Sequence, residues 1–110
     1  MQFVFNKNNK DIFEMLRDGN KTIETRAATV KYRKLQAGEI ISFSCDGSIF
    51  EKTIAKVTHF DSIGSLLKKY KPEDINPKLH TTEEIVTMYH SFPGYEEKIK
   101  QSGIVAIEFA

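Results

Sequence analysis

Gly19-Asn20-Lys21-Thr22-Ile23-Glu24-Thr25-Arg26 is the stretch from which the fold of this 110-residue chain can be read. Apolar residues with helical spacing precede it and predict a helix that ends near Asp18. Gly19 then supplies the left-handed residue that commonly follows the end of a helix. Thr22 to Thr25 has the composition of a strand, and we expect it to be the central strand of the sheet.

Side chains alternate between the two faces of a strand. Thr22, Glu24 and Arg26 should therefore share one face, while Ile23 and Thr25 occupy the other and leave Thr25 pointing away from a site on the first face. A glutamate and an arginine on one face can form a charge-assisted pair. The alternative is a solvated strand face with incidental charges.

Lys21 leaves the glycine turn beside this strand, and we predict that Lys21, Glu24 and Arg26 line one cleft with Tyr32 or Arg33 at its rim. Cations can hold a phosphate or a carbonyl oxygen, and a carboxylate can accept from an exocyclic amine, which is the set of groups that reads a single-stranded base. A partly buried lysine can also act as a base, although a neighbouring carboxylate favours its charged form. Because Lys21 sits at the strand's end, we expect Lys21→Ala to leave the fold intact.

The remaining segments predict an α+β fold, a mixed and mostly antiparallel β-barrel flanked by helices, as a single domain over residues 1–110. Met1 to Phe5 reads as an edge strand that pairs with the C-terminal strand. Asp46-Gly47 is a strong hairpin signal between strands at 40–45 and 48–60. The second of these is long, so we expect a bulge in it, and its apolar residues on both faces suit a barrel wall. We expect further helices at 62–70, 81–91 and 95–101, and loops at 27–34 and 71–78. The last strand is expected at 103–109.

The basic segment Lys31-Tyr32-Arg33-Lys34 interleaves cations with an aromatic ring. Such a loop can follow a phosphate backbone and stack on a base. The alternative is a solvated loop whose tyrosine is anchored in the core. Both readings stay open at this point.

Composition limits the possible classes of protein. Sixteen Lys and Arg against 15 Asp and Glu give a formal net charge of +1, which excludes the strongly basic class of nucleic-acid binder but not a local basic patch. A single cysteine, Cys45, and three separated histidines provide no metal-ligand spacing. No apolar run reaches 18 residues. We therefore expect a cytoplasmic monomer or weak dimer with no membrane partner, no metal and no cofactor.

Three motifs in order resemble the ASCH domain, a member of the PUA-like superfamily. They are Gly-x-Lys-Thr-x-Glu-x-Arg at 19–26 with its following basic loop and Gly38 to Phe43, the tyrosine and Pro-Gly segment from Tyr89 to Gly94, and the closing strand from Gly103 to Phe109. The resemblance implies a small pseudo-barrel flanked by helices and a link to RNA. It also implies that some relatives are small amidohydrolases acting on acetylated cytidine.

Those amidohydrolases use a lysine, a threonine nucleophile and a downstream glutamate. The lysine matches Lys21, but the threonine position holds Glu24 here. The downstream acid has no clean counterpart, since Glu73 and Asp74 lie in the region while Asn76 is nearer the matching position.

Three hypotheses follow. The first is a domain that binds RNA or a modified nucleoside in a polar cleft; Tyr89 would help wall the cleft, and the ligand- or RNA-binding residues would be Thr22, Arg26, Lys31, Tyr32, Arg33, Lys34 and Tyr89. The second is an amidohydrolase acting on an acylated nucleoside such as acetylcytidine, or another nucleic-acid-directed hydrolase, with Lys21 and Glu24 as catalytic residues. The third is a small interaction domain for a peptide or metabolite. The replaced threonine favours binding over hydrolysis.

Overall fold

Five strands and six α-helices make up the fold in the computed structural model, which describes residues 1–110. The strands are β1 (Gln2–Phe5), β2 (Ile23–Ala27), β3 (Ile40–Cys45), β4 (Ser48–Phe60) and β5 (Ile104–Phe109). The helices are α1 (Lys10–Asp18), α2 (Val30–Arg33), α3 (Ile63–Lys69), α4 (Pro72–Ile75), α5 (Thr82–Ser91) and α6 (Tyr95–Ser102), and a 3-10 turn at Lys7–Asn9 precedes α1.

The strands form one sheet in the order β1-β3-β4-β5-β2, which curls into a half-barrel. β1 pairs with β3 in parallel, and the other three pairs are antiparallel. The predicted fold class, a mixed and mostly antiparallel barrel-like sheet flanked by helices, is confirmed. The sheet stops short of closing, so β1 and β2 remain as its two edges.

Two predictions about strand order are wrong. β1 pairs with β3 rather than with the C-terminal strand, and β2 is an edge strand rather than the central one. The inner place beside β4 belongs to β5, whose residues from Ile104 to Ile107 are all buried. A strand that is apolar on both faces is stabilised by an inner position, where both faces are covered.

The hairpin between β3 and β4 was predicted correctly. Asp46 and Gly47 both have positive φ, 49° and 87°, as a two-residue hairpin turn requires. The expected bulge in β4 lies between Ile54 and Lys56. It lets the 13-residue strand pair with β3 at one end and with β5 at the other.

The two faces of the sheet carry separate apolar cores. One core lies between the sheet and the helices α3 to α6, and it includes Leu66, Ile85, Tyr89 and Ile104. The other lies inside the curl and is rich in phenylalanine; its largest fully buried members are Phe13, Phe43 and Leu16 with Ile41, Ile54 and Ile107. β2 contributes Ile23 and Ala27 to the core on the helical side.

The helix caps follow the sequence signals. Ser62 caps α3 by accepting from the Ser65 amide, and Thr81 with Glu84 forms the predicted capping box of α5. The two segments expected to be loops each contain a single helical turn, α2 and α4, because Thr29 and Pro72 begin a turn within them. None of the helices has the length and apolar composition needed to cross a membrane.

Candidate functional site

A cavity of about 430 Å³ lies between the two edges of the curled sheet. Residues of β1 line one side and residues of β2 line the other, and side chains from the 3-10 turn, α1, α4, α5 and the start of α6 close most of the remainder. Its lining comprises Val4, Phe5, Asn6, Asn9, Ile12, Lys21, Glu24, Thr25, Arg26, Ile75, Asn76, Met88, Tyr89, Phe92 and Tyr95.

The turn at Gly19 delivers Lys21 to this cavity, as predicted. Gly19 has φ of 84°, and the amide of Lys21 donates to the Met15 carbonyl at 3.0 Å, which ties the turn to the last part of α1. The chain then enters β2 with the Lys21 side chain turned inward and almost wholly buried, at 3% exposure.

Three charged side chains satisfy the backbone groups on the free edge of β2. Lys21 Nζ donates to the Ile23 carbonyl at 2.6 Å, and Arg26 Nη1 donates to the Thr25 carbonyl at 3.0 Å. Between them, Glu24 Oε1 accepts from the Thr25 amide at 2.9 Å. The charged cluster thus blocks an edge that would otherwise be open to another strand.

The same three side chains form ion pairs through one carboxylate oxygen. Glu24 Oε1 lies 3.1 Å from Arg26 Nη1 and 3.5 Å from Lys21 Nζ. Oε2 makes no hydrogen bond within the protein and is not enclosed, so it faces the cavity. The structure therefore brings the three residues into one cleft, as the sequence predicted.

Burial and mutual charge shift the pKa values of the cluster. Burial acts to raise the pKa of Glu24, but Lys21, Arg26 and the Thr25 amide outweigh it and hold that pKa below its ordinary value. Burial lowers the pKa of Lys21 by more than Glu24 restores, so it lies below that of an ordinary lysine. For Arg26 the attraction of Glu24 overcomes burial, and its pKa is raised. Burial thus opposes the charge of Lys21, whereas the attraction between Glu24 and Arg26 favours the ionised form of both.

Thr25 also reaches the cavity, contrary to expectation. Its hydroxyl is hydrogen-bonded to the Tyr89 hydroxyl on the helical side of β2. The predicted alternation of faces is correct, but β2 is an edge strand and the cavity wraps around that edge, so both faces contribute to it. Tyr89, which was predicted to wall a pocket, lines the cavity but is almost fully buried, with 1% of its surface exposed. Burial raises the pKa of its hydroxyl.

The guanidinium of Arg26 is held by aromatic rings as well as by Glu24. Its Cζ lies 4.6 Å from the centre of the Phe3 ring on β1. Tyr32 packs edge-on against Phe3 at 6.0 Å and stands close enough to Arg26 to help raise its pKa, as does Tyr95. Tyr32 is thus anchored against the core and reaches the cluster through Arg26 and Phe3.

The other predicted binding residues lie outside the cavity. Thr22 is exposed just before β2, where its carbonyl accepts from the Phe109 amide. Lys31, Arg33 and Lys34 are exposed on or next to α2. Arg33 borders a separate depression of about 290 Å³ beside Val57, so of the two residues predicted for the rim, Tyr32 or Arg33, only Tyr32 lies next to the cluster. The helical turn of α2 points the basic side chains away from the cavity.

The acids near the downstream position do not enter the cavity. Glu73 contacts His80 at 3.0 Å, and Asp74 accepts from the Lys71 amide. Asn76 lines the cavity instead, which leaves Glu24 as its one carboxylate.

Three asparagines belong to the lining. Asn6 and Asn9 were missed as site residues by sequence reasoning, and Asn76 was noted only as lying near the downstream position of the amidohydrolases. They come from the segment before α1 and from the loop after α4, and an ion pair between Asp11 and Lys78 joins these two regions beside the cavity. No local pattern marks them, because only the tertiary fold brings the two segments together.

Two solved structures of nearly the same length resemble this chain. The crystal structure of hypothetical protein PH0355 is 29% identical with a TM-score of 0.82, and the match covers 99% of this chain and 97% of that one. The solution NMR structure of protein PF0455 from Pyrococcus furiosus is 27% identical with a TM-score of 0.75, covering 99% and 96%. No protein-family model matches the sequence, and no curated protein is similar to it. The fold is therefore shared with proteins that are not named for an activity.

Proposed function

We propose that this protein binds a single base, in RNA or as a modified nucleoside, in the cavity between β1 and β2. Support comes first from the cavity itself, whose 430 Å³ falls within the usual size of small-molecule sites. Its walls combine apolar side chains with a few fixed polar groups, as such sites commonly do. The sequence resemblance to the ASCH domain favours the same class of ligand.

The observation that carries the proposal is the position of the Glu24 carboxylate. Oε1 is fully engaged by Lys21, Arg26 and the Thr25 amide, and Oε2 is left facing the cavity. A carboxylate held in place in this way can accept a hydrogen bond from a base without first being oriented. It would do so from a partly desolvated position, where a hydrogen bond to a charged group is strong.

Aromatic side chains provide faces on which a base can stack. Phe5 and Tyr95 line the cavity with their side chains half-buried, and Phe92 lies beside Tyr95 with 41% of its surface exposed. Stacking on such rings stabilises a bound base whatever its sequence context. The cavity therefore offers both a polar edge and a flat apolar surface.

Binding fits the residues better than catalysis through a nucleophile. The Thr25 hydroxyl is engaged by Tyr89, and Glu24 stands where the amidohydrolases have their threonine. A net charge of +1 suits recognition of a base more than tight binding of a long phosphate backbone.

One observation favours hydrolysis as the second candidate function. Lys21 is a buried amine in the cavity, its pKa is lowered by burial, and a carboxylate is beside it. Such a pair can move a proton from water to a leaving amine. In acetylcytidine, water would add to the acetyl carbonyl, and the amide bond would break to give acetate and cytidine.

Titration calorimetry with nucleosides and unstructured hexaribonucleotides tests the proposal. We expect saturable binding to the parent protein and at least ~10-fold weaker binding to Glu24→Gln. Glu83→Gln, an exposed change on α5 outside the cavity, is the matched control and should bind like the parent. Absence of binding, or equal binding to Glu24→Gln, would contradict the proposal.

The same samples decide between binding and hydrolysis. After incubation with acetylcytidine, chromatography should recover the intact nucleoside if the protein only binds. Release of acetate and cytidine that is lost in Lys21→Met would instead establish the second candidate.

We also infer a cytoplasmic location. The support is the single cysteine, Cys45, which is buried and free and therefore suits a reducing compartment.

A further inference from the structure

The free edge of β2 places the three charged groups in a fixed order. Lys21 Nζ is anchored at the Ile23 carbonyl and Arg26 Nη1 at the Thr25 carbonyl. These two acceptors are two residues apart, about 7 Å along an extended strand. The Glu24 carboxylate sits between them at the Thr25 amide. The order along the edge is therefore cation, carboxylate, cation.

Each of the three groups retains hydrogen-bonding capacity for a ligand. A lysine ammonium has three N–H donors; Lys21 donates one to the Ile23 carbonyl at 2.6 Å and lies 3.5 Å from Glu24 Oε1, which leaves at least one donor for a ligand. An arginine has five donors, and Nη1 of Arg26 supplies the contacts to Thr25 and Glu24. Glu24 retains Oε2 as an acceptor. The cavity thus presents donor, acceptor and donor in sequence.

We infer that the cavity selects a base with an imide edge, in which one N–H lies between two carbonyl oxygens, as in uracil. The N–H would donate to Glu24 Oε2, and the two carbonyl oxygens would accept from Lys21 and Arg26. This inference rests on the proposed function and names the class of base that the same site reads.

Other bases would place a donor against a donor, or an acceptor against an acceptor, at one or more of these three groups. Cytosine and adenine present an acceptor nitrogen where the carboxylate needs an N–H, so two acceptors would face each other. Guanine places two N–H groups side by side, and one of them would point at a cation. A site that holds buried polar groups rejects a ligand that leaves them unpaired, because the lost solvation of those groups is not replaced.

Binding of uridine, cytidine and 3-methyluridine to the full chain, measured by titration calorimetry, tests the inference. We expect uridine to bind at least ~10-fold more tightly than cytidine. 3-Methyluridine should bind at least as weakly as cytidine, because a methyl group replaces the N–H while both carbonyl oxygens remain. Hexamers of uridine and of cytidine should show the same preference. In Glu24→Gln the preference should fall, since an amide can offer either a donor or an acceptor, and in Glu83→Gln it should persist.

The outcomes separate this inference from the proposed function. Equal or tighter binding of cytidine, adenosine or guanosine would overturn the imide selection and leave base binding in place. Undiminished binding of 3-methyluridine would do the same. No binding of any nucleoside or hexamer would overturn both.

Discussion

Arg26 on one edge strand of the half-barrel is seated on the ring of Phe3 on the other edge strand, with 4.6 Å between Cζ and the ring centre. No backbone pairing joins these two edges, so this contact bridges the opening between them. Phe3 is 3% exposed and also packs edge-on against Phe43 in the core. The charged cluster is therefore linked to the apolar core across the open side of the sheet.

A double-mutant cycle tests this contact. Phe3→Leu keeps an apolar side chain but removes the ring, and Arg26→Gln removes the charge. Because the guanidinium is mostly buried, we expect a coupling free energy of about 1 kcal/mol between the two changes. Urea unfolding of the parent, both single variants and the double variant gives that value. Additive effects of the two changes would show that the contact contributes nothing.

Removing the Glu24 carboxylate should destabilise the fold. Glu24→Ala leaves Lys21 and Arg26 facing each other in a buried place and removes the acceptor of the Thr25 amide. Breaking a buried ion pair in this way costs about 3–5 kcal/mol. The exposed variant Glu83→Ala is the control and should change the free energy of unfolding by less than about 0.5 kcal/mol. A loss for Glu24→Ala no greater than that of the control would show that the cluster is solvated.

The contribution of Glu24 should depend on pH with a definite sign. Its folded pKa is lowered, so the folded state holds the proton less strongly than the unfolded chain, whose glutamates titrate near about 4.3. The stabilisation is therefore complete above about pH 5 and is lost as the pH falls through the lowered folded pKa. The difference in unfolding free energy between the parent and Glu24→Gln should shrink from pH 6 to pH 2. A difference that stays constant would contradict this.

Local signals in the sequence were enough for the hairpin and its strands. Asp46-Gly47 requires two positive φ angles that few other residue pairs adopt easily, so it marks the turn without knowledge of the fold. The alternating residues on either side then define the strands at 40–45 and 48–60, as observed.

The order of strands could not be read in the same way. Which strands take the three inner positions of the sheet depends on competition among all five strands for neighbours. The sequence marks β2 as a strand but does not show that its outer edge is covered by its own charged side chains rather than by a neighbour.

The candidate site could be predicted only in part, because some of it also depends on the order of the strands. Lys21, Glu24 and Arg26 are adjacent in sequence, and strand alternation with the glycine turn is enough to group them. Thr25 was excluded because strand alternation places it on the face opposite Glu24 and Arg26, whereas the cavity wraps around the edge of β2 and meets both faces.

Contrary to the expectation from the sequence, Lys21→Ala should destabilise the fold. The ammonium is buried and satisfies both the Ile23 carbonyl and Glu24. We expect Lys21→Ala to lower the free energy of unfolding by about 3 kcal/mol, because it leaves a buried carboxylate with one cation and a carbonyl without a donor. Lys68→Ala on the exposed side of α3 is the control. Equal stabilities of the two variants would show that the Lys21 amine contributes nothing to the fold.

Gly103 should tolerate substitution far less well than Gly19, although both have positive φ. A Cβ on Gly103 would overlap the Phe60 carbonyl oxygen and lie 2.9 Å from His59 Nε2, whereas a Cβ on Gly19 would meet nothing within 4 Å. Gly19→Ala should cost about 1–2 kcal/mol for the left-handed backbone alone. Gly103→Ala should cost at least ~4 kcal/mol. Similar losses in thermal or urea unfolding would show that the backbone around β5 adjusts freely.

The basic side chains of α2 should affect RNA binding through salt rather than through the cavity. Arg33→Ala and Lys34→Ala should each weaken binding of a single-stranded decaribonucleotide and lower the salt slope by about 0.7 per lost phosphate contact. Binding of a free nucleoside should not change, because both residues lie outside the cavity. Lys68→Ala serves again as the control. Equal affinity and equal salt slope in these variants and the parent would show that this basic surface does not contact RNA.

Thr25 and Tyr89 should behave as one unit. Their hydroxyls are bonded to each other beneath the cavity, so Tyr89→Phe and Thr25→Val should each cost about 1–2 kcal/mol by leaving one buried hydroxyl without its partner. The double variant should lose little more than either single variant, because no unpaired hydroxyl remains. The same cycle bears on hydrolysis. If Thr25 is a nucleophile, Thr25→Val abolishes release of acetate from acetylcytidine while Thr25→Ser retains it. If the pair only supports the floor of a binding cavity, the parent protein releases no acetate. The variants should then lose nucleoside affinity in the same order as they lose free energy of unfolding.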